Sequence, residues 1–138
     1  MLLMTILNNM AEQDLRLGDL VTAATHQRDA MRLSTELGVP VMTAFALVLA
    51  SRMAQPAGDD AAAVRLHAAA DALLEACRFE LIPDDRVLSE AVLATARDHL
   101  GAAYDDHLAA GRAMDAAEAA AEAEAVFAAV IAGGEDRT

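Results

Sequence analysis

The chain has 138 residues and a formal net charge of −12, and its ten basic residues, all arginine, are scattered among twenty-two acids. That balance argues against direct binding to nucleic acid or to an anionic membrane surface, both of which need a basic face. Hydrophobic residues make up 56% of the chain and alanine roughly a quarter, with no tryptophan, one tyrosine and three phenylalanines, so the core must be built from Ala, Leu, Val and Met, which suits closely packed helices and not a sheet.

The length is enough for one domain with a single core. Absence of lysine beside an alanine excess points to a GC-rich bacterial genome. Cys77 is the only cysteine. It excludes an internal disulfide and agrees with a cytoplasmic location.

The opening MLLMTILNNM is apolar, lacks a basic leader and a small-residue cleavage site, and is too short to span a bilayer. It reads as the first turns of a helix over 3–17, with Leu3, Ile6, Leu7, Met10 and Leu17 as the inward stripe. Gly18-Asp19 stops it. A second helix over 20–37 turns Leu20, Ala23, Ala24, Ala30, Met31 and Leu33 inward and ends at Gly38 and Pro40. The pattern then repeats, with a helix over 41–54, a Pro56-Ala57-Gly58-Asp59 turn and a helix over 61–77. The two Gly-Asp turns stand forty residues apart, the mark of stacked helical hairpins, none of which can bury its apolar face alone. Cys77, near Leu73, Leu74 and Phe79, is expected to be a small buried apolar residue.

Beyond this point the pattern changes. Residues 79–82 form a short apolar connection. Pro83-Asp84-Asp85 opens a helix to about residue 100, with proline and acids in its first turn. Gly101 and Gly111-Arg112 bracket a short helix over 102–110. A last helix over 114–131, rich in alanine and glutamate, is capped by Gly133-Gly134. The expected organisation is an all-α domain over 1–132 of about seven helices: two hairpins over 1–78, capping helices over 79–132, and a frayed tail over 133–138.

The hairpins resemble tetratricopeptide repeats. Leu7, Met10, Ala11, Gly18, Ala23 and Ala30 match the large, small and turn positions of one repeat. Leu47, Ser51, Gly58, Ala63 and Ala70 follow the same order in the next. The stretch AVRLHAAADALLEACRFELIPDDR and the later LATARDHLGAAYDDHLAAGRAMDAAEAAAEA resemble the C-terminal end of the repeat region in large bacterial signalling ATPases. These include LuxR- and MalT-type transcriptional regulators and relatives fused to adenylate cyclase domains. The closing segment there pairs a Leu-Gly with an aromatic and acids, here Leu100-Gly101, Tyr104, Asp105 and Asp106, followed by Gly111-Arg112-Ala113. The resemblance implies a sensor or scaffold segment of such a regulator, standing alone or cut from a longer chain. No GxxxxGK[ST] phosphate loop is present, and no DNA-reading domain is expected after the last helix.

Little in the residues points to catalysis. His26, His67, His99 and His107 lack the close pairing a zinc site needs, and ordinary surface or core histidines are the competing reading. Asp84 and Asp85 suit a helix start, while Asp105-Asp106 suit solvent better than a two-carboxylate cleft. No metal or cofactor is expected, and the glycines are read as helix punctuation. The alanine-rich 116–125 run reads either as a solvated terminal cap or as a partner-binding helix.

The first helix of each hairpin should line a concave face, presenting Asn8, Glu12 and Arg16, then Phe45, Val48, Arg52 and Gln55. Polar groups beside apolar ones there could hold a peptide, although Glu12 and Arg16 are also a favourable i, i+4 pair on any exposed helix. Leu2, Leu3 and Ile6 lie on a helix whose apolar residues cover most of its circumference. One hairpin partner covers only one stripe, so self-association as a two-fold dimer is expected. The expected function is protein–protein interaction or effector sensing in a bacterial regulator, without catalysis. The alternative is a small-molecule binder or enzyme with a pocket in the helical core.

Overall fold

The structure, a computed structural model, describes residues 2–135. Among them are seven α-helices and one 3-10 turn: α1 (Leu2–Arg16), α2 (Leu20–Leu37), α3 (Pro40–Ala54), α4 (Asp60–Cys77), α5 (Pro83–Leu100), the 3-10 turn Gly101–Ala103, α6 (Tyr104–Ala113) and α7 (Ala116–Glu135). The fold is all-α and built on helical hairpins.

Local chemistry fixes the helix ends. Asp19 caps α2 by accepting from Thr22 N at 3.2 Å, and Asp59 caps α4 by accepting from Ala62 N at 3.0 Å. Gly38 ends α2 in the left-handed region at φ 69°, where a side chain would be strained. Pro40 and Pro83 each occupy the first turn of their helix, where the missing N–H costs nothing. Arg78 ends α4 at φ 55°, a conformation costing a non-glycine residue roughly 1 kcal/mol. At α7 a reciprocal capping box forms: Glu118 N donates to Asp115 Oδ1 at 2.8 Å and Asp115 N donates to Glu118 Oε1 at 3.2 Å.

Helices α1 and α2 pair, as do α3 and α4, and α2 packs on α3. One face carries α1, α3 and α5 side by side. Helices α5 and α6 both rest on α4. Helix α7 then runs back across the molecule to α2, α3 and α4. A single core cluster draws on Ala23 and Met31 of α2, Leu47 and Met53 of α3, Leu66 and Leu74 of α4, and Ala119, Ala123 and Phe127 of α7. Alanine at the crossing points lets helix axes approach closely, which is where the alanine excess is used.

Several expectations are corrected here. The alanine-rich 116–125 run, read as a solvated cap or a partner-binding helix, is a core element: Ala119 and Ala123 are fully buried, alongside Phe127 from the apolar last turns of the same helix. Gly133 and Gly134 do not cap α7, which continues through them to Glu135, and residues 136–138 of the expected tail lie outside the described residues. Gly111 is no helix break either. It sits inside α6 because a Cβ there would come within 2.7 Å of Arg65 Cα and 2.8 Å of Ala68 Cβ. Cys77 is exposed, since α4 turns its last residue away from the core. In α1 the buried side chains are Met4 and Ala11, whereas Leu3, Ile6 and Met10, and Leu17 just after the helix, are exposed. The small residue at 11 decides which face can approach α2, and the larger apolar stripe is left outside.

Candidate functional site

The α1–α3–α5 face holds a groove of about 70 Å³ lined by Asn8 and Glu12 of α1, Phe45, Val48 and Leu49 of α3, Leu81 of the α4–α5 connection, and Asp85 of α5. Asn8 and Glu12 are one helical turn apart and share a face. Phe45 packs edge-to-face on Phe79, ring centroids 5.4 Å apart at 71°. The apolar connection before Pro83 thus supplies one wall of the groove.

Its polar groups are only half satisfied. Arg52 is buried in α3 and donates through Nη1 to Glu12 Oε1 at 3.3 Å. Glu12 Oε2 and Asn8 Oδ1 are buried with no hydrogen-bond partner. A buried acceptor without a donor is costly, of order 1–3 kcal/mol, and both atoms belong to residues that line the groove. Asp85 adds a third acceptor at the rim.

Of the seven residues expected on this face, Asn8, Glu12, Phe45 and Val48 line the groove together. Arg52 reaches it through Glu12, and it replaces Arg16 as the partner of that carboxylate. Arg16 is exposed at the end of α1. Gln55 points away to the α3–α4 turn, where Nε2 lies 3.4 Å from Asp60 Oδ1. Leu49, Leu81 and Asp85 were missing from the sequence reading. The apolar 79–82 connection was the signal for Leu81; nothing local marks Asp85, which looks like any first-turn acid.

A second, larger cavity of about 590 Å³ lies between the start of α2, the α3–α4 turn and the last turns of α7. Leu20, Val21, Met53, Val126 and Val130 provide most of its bulky wall.

The histidines are engaged separately. His26 Nδ1 lies 2.8 Å from Asp14 Oδ2, His99 Nδ1 3.0 Å from Asp60 Oδ2, and His107 Nδ1 2.9 Å from Arg65 Nη1. His67 is buried in α4, with Nδ1 3.4 Å from Asp71 Oδ2. Among the described residues, no group of three or more His, Cys, Asp or Glu side chains is placed to hold a metal ion. Asp105 and Asp106 are exposed on α6. No helix of the described residues is long and apolar enough to cross a membrane.

Arg65 links three helices. Its Nε donates to Glu122 Oε1 of α7 at 2.8 Å while its Nη1 faces His107 of α6. The hydrogen bond and charge of Glu122 raise the guanidinium pKa above its ordinary value. Arg32 of α2 pairs with Glu124 of α7. Leu2, Leu3 and Ile6 are exposed on α1.

No protein-family model matches the chain, and neither a curated protein nor a solved structure does.

Proposed function

We propose that the chain is a non-catalytic interaction module that docks a peptide or helix of a partner protein, or senses an effector, in a bacterial regulator of the LuxR and MalT type. The observation that carries this reading is the pair of unpartnered buried acceptors, Asn8 Oδ1 and Glu12 Oε2, in a groove walled by Phe45, Val48 and Leu81. A docked segment would supply an arginine, lysine or amide N–H to these atoms and lay apolar side chains on either side. The net charge of −12 adds long-range attraction for a basic segment. Output would come from a shift in conformational population, because binding favours whichever state holds the groove open. The repeat resemblance and the order of small residues in the hairpins support the same reading.

A display library of random twelve-residue peptides, selected against the immobilised full chain, tests it. The expected winners carry a basic residue flanked by apolar ones and lose binding to Phe45→Ala and Asp85→Lys variants. No enrichment, or enrichment indifferent to both variants, overturns the reading.

A further inference from the structure

We propose that the cavity between α2, the α3–α4 turn and the C-terminal half of α7 is a binding site for a lipophilic amine, independent of the groove on the α1–α3–α5 face. Its volume of about 590 Å³ falls in the range of roughly 300–1,000 Å³ that accommodates small molecules. The lining is mostly aliphatic, with Met53 on one side and Val126 and Val130 on the other. Both charged side chains among its lining residues, Asp59 and Glu122, are carboxylates.

The charge around the cavity selects the ligand's polar end. Helices α2 and α4 begin there, but their N-termini are already met by the capping aspartates Asp19 and Asp59. Helix α3 ends there and presents the partial negative charge of its C-terminus. Glu122 is committed to Arg65. Asp59 uses Oδ1 for the backbone of Ala62 and retains a full negative charge at the α3–α4 turn. A carboxylate ligand would meet like charge on both sides. An ammonium would meet Asp59 while its alkyl chain lies against Met53 and Val126.

The two glycines of α7 have different reasons to be there. Gly134 is required by packing, because a Cβ would run into Val21 Cγ2. That contact draws α7 onto α2 and closes one end of the cavity. Gly133 has no such neighbour: a Cβ there would meet nothing within 4 Å. Glycine weakens a helix interior, and at this position it keeps the cavity wall free of side-chain volume.

The test titrates decylamine, decanol and decanoate, each below its aggregation limit, into the full chain by calorimetry, with methyl NMR to locate binding. Decylamine is expected to saturate at one site, to shift the methyl signals of Met53, Val126 and Val130, and to bind several-fold more tightly than decanol. Ala129→Phe, at an exposed position on the cavity wall, should abolish binding with the helical circular dichroism unchanged. Asp59→Asn keeps an N-cap acceptor and should lower decylamine affinity to that of decanol. The proposal is overturned if decylamine shows no saturable binding, if binding survives Ala129→Phe, or if decanoate binds as tightly as decylamine. A groove-binding peptide should leave all three titrations unchanged, so the two sites fail or stand separately.

Discussion

Arg65 Nε donates to Glu122 Oε1 across 2.8 Å, and through this pair α7 is held on α4 while His107 brings α6 to the same guanidinium. Both side chains are partly buried, which reduces screening by salt. Removing the carboxylate leaves a partly desolvated cation without its carboxylate partner. Glu122→Ala is therefore expected to lower stability by about 1–3 kcal/mol, read from urea unfolding. Arg65 stays charged wherever the protein folds, since Glu122 raises its pKa. A double-mutant cycle with Arg65→Ala should recover a coupling of at least about 0.5 kcal/mol; an additive cycle would remove the pair from any role in holding α7.

Gly111 meets Arg65 at the backbone. A Cβ would sit 2.7 Å from Arg65 Cα, and two helix backbones cannot move apart as a flexible side chain can. Gly111→Ala should raise helix propensity and yet destabilise the protein by about 2 kcal/mol, in the range of overpacking. A rise in melting temperature would show that α6 does not pack this closely on α4.

Gln27 is fully buried in α2, and neither its Oε1 nor its Nε2 has a hydrogen-bond partner. Its amide loses water without a replacement, whereas an apolar side chain of similar length would not. Gln27→Met is expected to stabilise the fold by about 1 kcal/mol, seen as a higher urea midpoint at an unchanged slope. Destabilisation would mean that the amide's hydrogen-bonding groups are satisfied in solution.

The helices were legible because their boundaries are written in local chemistry: Asp19, Gly38, Pro40, Asp59 and Pro83 each mark an end by a mechanism that acts within a few residues. The path of α7 was not, because AAEAAAEAEA has almost no amphipathic contrast, and whether alanines such as Ala119 and Ala123 face solvent or a core depends on what lies opposite. Gly111 misled for a related reason: a glycine required by a neighbouring helix looks in sequence like a glycine that ends its own. Asn8, Glu12, Phe45 and Val48 could be placed on one face from helical spacing. The pairing of Glu12 with Arg52 spans forty positions and left no local trace. Cys77 was expected inside because its neighbours are apolar, but the last turn of α4 rotates it outward.

That outward rotation is directly checkable. Cys77 is an exposed free thiol, so a maleimide or disulfide reagent should label the folded protein fully and at nearly the rate of a small thiol under the same conditions. Labelling that requires denaturant would return Cys77 to the interior and change the end of α4.

Self-association tests the unburied face of α1. Leu2, Leu3 and Ile6 are 75%, 56% and 44% exposed, and Met10 extends the same apolar surface. Exposed leucines scattered singly mean little, but four large apolar side chains on one helix form a patch that water disfavours. A two-fold dimer, proposed on this surface, would cover it by opposing two copies of the helix. Sedimentation equilibrium at tens of micromolar should then give about twice the 14.4 kDa chain mass, and the double variant Leu3→Glu, Ile6→Glu should sediment as monomer. Because both positions already face solvent, the variant's unfolding free energy should stay within about 0.5 kcal/mol of the parent once monomers are compared. Monomeric behaviour of the parent at that concentration would rule the dimer out.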